Sequence, residues 1–171
     1  MAIALQALAM LIFLDFDGVL HPNDDALRID DTRRPAAELH AEGLFRFNTH
    51  LVDALRPWPQ TKIVVHSSWR LTHTLAEIRT LMTPLEGQVV GVTKPQLDRE
   101  ASILDYVRGR RLRPADFVIL DDQPKIFQRL GEQLIVCDPN SGLSAPAVRE
   151  ALRQRLEVSA GHAIPTPGCR P

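Results

Sequence analysis

Five short apolar runs alternate along the chain with segments of helical pattern. Each run is three or four residues long, and most are rich in β-branched residues, which is typical of strands buried on both faces. The runs are Leu11–Leu14, Ile63–Val65, Val89–Val92, Phe117–Leu120 and Leu134–Cys137. Strands that alternate with helices form parallel sheets covered on both sides. The predicted fold class is therefore α/β, a parallel sheet with helices on both faces.

Four longer helices are predicted from apolar residues spaced three or four positions apart. The four sets are Leu44, Phe47, Leu51 and Leu55; Leu71, Leu75, Ile78 and Met82; Leu97, Ala101 and Leu104; and Val148, Leu152 and Leu156. Gly109 is placed to end the third helix, because glycine is common just past a helix terminus. Ser144 is placed to cap the fourth helix, because a serine side chain can accept from its first free N–H groups.

A chain of 171 residues is expected to form a single domain. We expect its core to span about residues 10–156, with residues 1–9 as an extension in front of it. Residues 157–171 are rich in Pro, Gly and Ala and are expected to form a flexible tail. Residues 21–43 are polar and too few to form a domain with its own core. A minimal cap domain or none is predicted, so a site at the sheet edge is expected to be open.

The net charge and the cysteine content indicate which binding partners and which cellular compartment to expect. The formal net charge is −1, so no overall field attracts nucleic acid or anionic lipid. Cys137 and Cys169 are the only cysteines, and their positions do not suggest a disulfide framework. The apolar start of the chain has no basic segment and is interrupted at Asp15, too early for a membrane span. We therefore expect a cytoplasmic protein that does not contact membranes.

Polar side chains follow three of the predicted strands at the point where each strand ends. Asp15 and Asp17 follow the first run, Ser67 follows the second, and Asp121 and Asp122 follow the fourth. In an open parallel sheet, ligands bind beyond the carboxyl ends of the strands, so these side chains are expected to converge. Single aspartates at such positions also serve as helix caps and turn formers. Four carboxylates together repel one another unless a cation neutralises them, and hard oxygen ligands suit Mg²⁺.

The spacing of the first two aspartates fits phosphoryl transfer. A carboxylate such as Asp15 can attack phosphorus once a metal has neutralised the phosphate charge. A second carboxylate two residues on, Asp17, can protonate the leaving oxygen and later activate water. Gly18 allows a sharp turn that brings backbone N–H groups near a phosphate, and Ser67 can donate a hydrogen bond to a phosphoryl oxygen.

The segments LDFDGVLHP, VVHSS and VILDD, with a basic residue upstream of the last, resemble the four motifs of the haloacid-dehalogenase-like (HAD) hydrolases. The segments HSSWR and DPNSGLS are similar to the branch found as the HAD domain of Swiss-army-knife RNA repair proteins. The resemblance implies a Rossmann-like fold. It also implies that Asp15 is the nucleophile and a metal ligand, and that Asp17 is the general acid and base whose backbone carbonyl contacts the metal. Ser67 would bind phosphate, Asp122 would bind the metal directly, and Asp121 would bind it through water or orient a neighbour.

Two residues are candidates for the cation of the third motif. Lys94 lies 27 residues before Asp121, and Arg99 lies 22 residues before it at the start of a helix. The HAD superfamily usually has a lysine here, whereas the RNA-repair-like branch tends to have an arginine that opens this helix. Arg99 is favoured, and Lys94 remains a candidate.

Other polar and aromatic residues give weaker signals. No cysteine or glutamate completes a zinc site around His66, which is more simply interpreted as a packed or supporting histidine. Trp58 and Trp69 could stack on a base, although packing is the simpler interpretation. A local basic cluster could follow a phosphate backbone, although arginine is also favoured at a helix end. The cluster consists of Arg108, Arg110, Arg111 and Arg113.

The sequence thus predicts an open, Mg²⁺-dependent phosphomonoester hydrolase that acts through an aspartyl-phosphate. The alternatives are a phosphotransferase or a nucleic-acid-end phosphatase with the same chemistry, and a non-enzymatic receiver-like phospho-acceptor domain. A receiver has its acidic pair and its phosphorylated aspartate on different strands, whereas here Asp15 and Asp17 follow one strand. The substrate is expected to be phosphorylated, either a small molecule or a nucleic-acid end.

Overall fold

A computed structural model describes residues 10–29, 32–96 and 98–161 and contains a five-stranded sheet. The strands are β1 (Leu11–Leu14), β2 (Lys62–Val65), β3 (Val89–Val92), β4 (Phe117–Asp121) and β5 (Leu134–Val136). Their order is β3-β2-β1-β4-β5, and every neighbouring pair is parallel. The predicted α/β class and the five strands are confirmed, with strand ends that differ from the prediction by at most one residue.

Six helices surround the sheet in the part of the chain that the structure describes. They are α1 (Asn23–Leu27), α2 (Ala36–Ala41), α3 (Asn48–Leu55), α4 (Leu75–Leu81), α5 (Arg99–Arg110) and α6 (Pro146–Gly161). Thr74 and Glu77 form a capping box at the start of α4. The Asp98 side chain accepts from the Ala101 N–H over 2.9 Å at the start of α5. This cap fixes the position at which the α5 backbone begins.

Alternate residues of each central strand enter two separate cores. On β1, Ile12 and Leu14 pack with apolar residues of α2, α3, α4 and α6. Leu11 and Phe13 pack on the opposite face, with Ile103 of α5. This alternation is the expected result of a strand whose successive side chains point to opposite faces. The sheet is therefore covered on both sides, as predicted.

Several helix boundaries differ from the sequence prediction. Helix α3 begins at Asn48, after Leu44 and Phe47, and α4 spans Leu75–Leu81 without Leu71 and Met82. Leu97 lies outside the described residues.

Helix α5 passes through Gly109 and ends where Arg111 adopts a left-handed conformation with φ of 55°. Ser144 does not cap α6, because its Oγ donates to the Ser141 carbonyl over 2.6 Å and the helix begins at Pro146. Helix α6 also continues through residues 157–161, which the sequence pattern places in the tail. Residues 1–9 and 162–171 lie outside the described part of the chain.

The segment between β1 and α3 contains α1 and α2 and packs on the main core. Leu39 of α2 is fully buried in the same core as Ile12 and Leu14. The His40 ring nitrogen Nε2 lies 3.0 Å from the Leu81 carbonyl and so connects α2 to α4. The described part of this segment contributes no second sheet. Among the described residues, no helix is both long and apolar enough to cross a membrane.

The strand order creates a crevice beside β1. The chain proceeds from β1 outward to β2 and β3, and α5 then returns it to β4 on the other side of β1. The connection after β1 runs towards β2, and the connection after β4 runs in the opposite direction, towards β5. Open α/β sheets bind ligands at such a reversal of strand order. Asp15 directly follows β1, and Asp121 is the last residue of β4. Both aspartates therefore lie at this crevice.

Candidate active site

Asp15 and Asp121 lie side by side at the carboxyl edge of the sheet, where one arginine contacts both. The Asp15 N–H donates to the Leu120 carbonyl over 3.0 Å, which extends the β1–β4 pairing to the edge. Arg99 donates from Nη1 to Asp15 Oδ2, and the same nitrogen lies 2.9 Å from Asp121 Oδ2. All three side chains are buried or nearly so. The guanidinium therefore offsets part of the negative charge at the crevice.

The two candidate cations occupy different environments. Arg99 is the first residue of α5, and the start of this helix faces the carboxyl edge of the sheet. Lys94 is exposed, and its Nζ lies 3.7 Å from Asp105 Oδ2. The structure thus brings Arg99, and not Lys94, to the Asp15 carboxylate.

His66 is a member of this cluster that the sequence interpretation left as a packed or supporting histidine. Its Nε2 lies 2.9 Å from Asp121 Oδ2, and the ring is fully buried. Burial lowers the pKa of His66 to about 3, so the ring is neutral and Nε2–H is the donor to the carboxylate. One ligand atom from each of Asp15, His66 and Asp121 lies within 4.8 Å of the others. His66 directly follows β2, and this strand-end position was the sequence signal for its place in the site.

Asp122 packs against the glycine of the first motif. Gly18 has a φ of 73°, and a Cβ built on it would lie 2.4 Å from Asp122 Oδ2. Glycine is therefore required both by the backbone conformation and by the carboxylate next to it. Burial, with the nearby charges of Asp15 and Asp121, raises the pKa of Asp122 to about 6. The position of the Asp122 carboxylate therefore disfavours its ionised form.

The donors around this acidic cluster fit a hard divalent cation. Burial and the Asp121 charge raise the pKa of Asp15, and burial raises the pKa of Asp121. Asp122 Oδ1 is buried and has no hydrogen-bond partner among the described residues. Oxygen ligands with unneutralised charge are the donors that Mg²⁺ prefers. Asp15, Asp122 and the backbone carbonyl of Asp17 are the groups that would hold it, with Asp121 close by.

Ser67 follows β2 and has a buried hydroxyl. The residue is fully buried, and its Oγ has no hydrogen-bond partner in the part of the chain that the structure describes. A buried hydroxyl without a partner is costly unless a ligand or water completes it. That Ser67 donates to a bound phosphoryl oxygen stays a prediction.

The Asp17 carboxylate is held by two residues that sequence reasoning did not place in the site. His21 Nε2 lies 3.0 Å from Asp17 Oδ1. The Trp69 indole N–H donates to both oxygens of Asp17, at 3.1 Å and 3.2 Å. His21 follows Asp17 by four residues across a tight turn. The contact between them could not be predicted from the sequence, because the segment has neither helical nor strand periodicity.

A model of the HAD domain in Swiss Army Knife RNA repair proteins matches residues 11–148 of the chain. The chain belongs to this family. No curated protein and no solved structure matches the chain. The family match runs from the start of β1 into α6 and includes every site residue described above. HAD domains form a superfamily of hydrolases and phosphotransferases that typically use a metal, and the acidic cluster at the sheet edge is compatible with that chemistry.

The HAD domain has an open pocket that is lined by Asp15, Asp17 and Arg99 among other residues. The pocket has a volume of about 230 Å³ and contains Asp15 and Asp17 at its base. Its wall includes Ser68, Leu71 and Gln123, which are all exposed at the rim. A ligand can therefore reach the carboxylates from solvent without displacing a domain.

Arg70 is a buried cation that ties two elements of the HAD domain together. Its guanidinium donates to the carbonyls of His66, Ser67 and Gln96, at 2.5 Å, 2.8 Å and 2.7 Å. The first two carbonyls directly follow β2, and the third lies in the loop that leads to α5. Arg70 thereby fixes Ser67 relative to the segment that delivers Arg99.

The basic cluster seen in the sequence lies away from the pocket. Helix α5 begins at Arg99 in the site, and Arg108 is nine residues further along, about 14 Å at 1.5 Å per residue. Arg113 lies four residues before the first residue of β4, at the opposite edge of the sheet, and pairs with Asp116 over 2.8 Å. The cluster does not line the pocket of this HAD domain and does not argue for the substrate bound there.

Proposed function

We propose that the protein is a Mg²⁺-dependent phosphomonoester hydrolase that acts through an aspartyl-phosphate on Asp15. The observation that carries the proposal is the Arg99 guanidinium, which contacts the carboxylates of Asp15 and Asp121 at the base of an open pocket. Membership of the HAD superfamily supports the same reaction class.

Asp15 is the nucleophile in this proposal. A carboxylate oxygen of Asp15 forms a bond to phosphorus while the ester P–O bond breaks, and Asp17 gives a proton to the leaving oxygen. Water then attacks the phosphorus of the acyl phosphate, and Asp17 takes the proton that this water loses. Arg99 and the Ser67 hydroxyl stabilise the charge that develops on the phosphoryl oxygens.

Asp15, Asp122 and the Asp17 carbonyl would hold Mg²⁺. A bound Mg²⁺ neutralises phosphate charge and so permits attack by a carboxylate. The Oδ1 atom of Asp122 is buried and has no hydrogen-bond partner among the described residues, which supports this assignment.

Release of p-nitrophenol from p-nitrophenyl phosphate tests the proposal. We expect turnover with Mg²⁺ and none with EDTA, restored by added Mg²⁺. Asp15→Asn should abolish turnover while the fold is retained, whereas Asp53→Asn, at an exposed position on α3, should behave as the parent protein. If Asp15→Asn retained near-parental activity, Asp15 could not be the nucleophile. Phosphorylation without turnover would favour the receiver-like alternative.

A nucleic-acid end is the second candidate substrate. The family that matches the chain is described by its occurrence in RNA repair proteins. The pocket opens directly to solvent past exposed Ser68 and Gln123, so it can admit a phosphate at the end of a large molecule. The kcat/KM values for 3′- and 5′-phosphorylated oligonucleotides and for small sugar phosphates should be compared. A sugar phosphate hydrolysed far more efficiently than every oligonucleotide end would exclude this choice, and transfer of phosphate to an added alcohol would indicate a phosphotransferase.

A further inference from the structure

The two oxygens of the Asp17 carboxylate have unequal environments. Oδ1 lies 3.0 Å from His21 Nε2 and accepts from the Trp69 indole N–H at 3.1 Å. Among the described residues, Oδ2 accepts a hydrogen bond from the indole N–H alone, at 3.2 Å. The Asp17 side chain is 22% exposed and faces the pocket, whereas His21 is fully buried behind it. One oxygen is thus fixed by two donors from the protein interior, and the other is the freer of the two.

The roles of the two His21 ring nitrogens follow from their partners. The Phe45 N–H donates to His21 Nδ1 over 3.3 Å, so Nδ1 is an acceptor and carries no hydrogen. Nε2 therefore carries the hydrogen and donates it to Asp17 Oδ1. Phe45 provides this N–H from a left-handed backbone conformation with φ of 60°, which is unfavourable for a bulky residue. Such conformations persist where the surrounding structure requires them, and here the strained residue orients the histidine.

The indole of Trp69 is also held in a defined position. Its ring makes edge-to-face contacts with Phe16 and Phe45, with centroids 6.0 Å and 5.2 Å away. It also stacks on His73 at 5.1 Å and 24°. These contacts define the direction of the indole N–H, so the aspartate that accepts it is fixed as well.

We propose that His21 and Trp69 are positioning residues that hold Asp17 so that its Oδ2 delivers the proton to the leaving oxygen of the substrate. The inference rests on the proposed phosphomonoester hydrolysis. The proton passes from Asp17 Oδ2 to the ester oxygen as that oxygen takes the electron pair of the breaking P–O bond. In the same step an oxygen of Asp15 forms the new bond to phosphorus. Asp17 is left as a carboxylate, whose Oδ1 remains fixed by the two N–H donors.

Three variants separate donation of a hydrogen bond from packing. Trp69→Phe keeps an aromatic ring and removes only the N–H donor. His21→Asn keeps an acceptor for the Phe45 N–H but loses the donor to Asp17, whereas His21→Gln retains an amide donor near the position of Nε2. Trp58→Phe is the matched control, because Trp58 packs against the same core outside the pocket. Thermal unfolding of each variant shows whether it remains folded.

The measurement is kcat/KM, with Mg²⁺ present, for a series of aryl phosphates from p-nitrophenyl to phenyl phosphate. A leaving group such as p-nitrophenolate needs little protonation, whereas phenolate needs much more. Positioned proton transfer contributes about 10²–10⁴-fold, so we expect Trp69→Phe and His21→Asn to lower kcat/KM for phenyl phosphate by about 10-fold or more. The loss for p-nitrophenyl phosphate should be much smaller, which gives a steeper dependence on the leaving group. His21→Gln and Trp58→Phe should retain the parental slope.

Equal losses along the whole series in Trp69→Phe and His21→Asn would show a merely structural role and overturn the inference. An unchanged rate in both variants would overturn it as well. In either case the proposed function would stand, provided that the parent protein turns over the series and Asp15→Asn does not. Absence of turnover by the parent protein, or full activity of Asp15→Asn, would instead overturn the proposed function together with this inference.

Discussion

His66 donates a hydrogen bond from Nε2 to Oδ2 of Asp121 over 2.9 Å, and neither side chain is exposed to solvent. The same carboxylate oxygen lies 2.9 Å from Arg99 Nη1. One atom of Asp121 is thus the meeting point of the end of β2, the end of β4 and the start of α5. Asp121 orients the cation that contacts Asp15, and His66 orients Asp121.

Two replacements of His66 should distinguish the contribution of its hydrogen bond to stability from the contribution of its packing. His66→Leu leaves the buried Asp121 oxygen without one donor, which costs about 1–3 kcal/mol of unfolding free energy. His66→Gln retains a donor near Nε2 and should lose less. Urea unfolding with EDTA present measures both values. Equal stability of the Leu and Gln variants would mean that the hydrogen bond to Asp121 contributes nothing.

Arg99→Ala should cost far more activity than Lys94→Ala. Arg99 contacts two buried carboxylates, and loss of a group that stabilises developing charge typically lowers kcat by about 10²–10³-fold. Among the described residues, the Lys94 side chain forms an ion pair with Asp105 at the surface, and solvent-exposed pairs of this kind contribute little. Phosphate release by the two variants under saturating Mg²⁺ is the measurement. Similar small losses in both would mean that another cation serves the reaction.

The sequence predicted the fold and the acidic residues well because strand ends are local signals. The run Leu11–Leu14 and the aspartates that follow it are adjacent in the chain, so the position of Asp15 required no tertiary information. The parallel pairing of β1 with β4 then brings Asp121 to the same edge. All five strands could be placed within one residue by the same argument.

The supporting residues could not be predicted because their contacts depend on packing. Trp69 contacts Asp17 from 52 residues away, and its own sequence neighbourhood indicates only a large apolar side chain. Helix α5 passes Gly109 because Arg111, a residue that rarely adopts positive φ, takes the left-handed position instead. The direction of α5, set by the return from β3 to β4, places Arg108 far from the pocket although it is close to Arg99 in sequence.

Mg²⁺ should stabilise the protein through Asp122. Asp122→Asn removes one of several carboxylates that repel one another, so with EDTA present the variant should melt at a higher temperature than the parent protein. Each kcal/mol gained in unfolding free energy corresponds to a rise of about 2–4 °C. Added Mg²⁺ should raise the melting temperature of the parent protein, because a ligand that binds only the folded state stabilises it. Asp122→Asn should show little of this rise, and Asp53→Asn should show all of it. A full Mg²⁺ response in Asp122→Asn would exclude Asp122 as a ligand.

Gly18 should not tolerate a side chain, whereas Gly109 should. A Cβ at Gly18 would lie 2.4 Å from Asp122 Oδ2, and its φ of 73° alone costs an L-residue about 1–2 kcal/mol. Gly18→Ala must therefore displace Asp122, so it should lose both stability and the Mg²⁺-induced rise in melting temperature. Gly109 lies within α5, and a Cβ built there has no described atom within 4 Å apart from its chain neighbours and the backbone of its own helix, so Gly109→Ala should gain about 0.5–1 kcal/mol. Urea unfolding with and without Mg²⁺ measures both variants. A Gly18→Ala protein with parental stability and a parental Mg²⁺ response would contradict the close contact between Gly18 and Asp122.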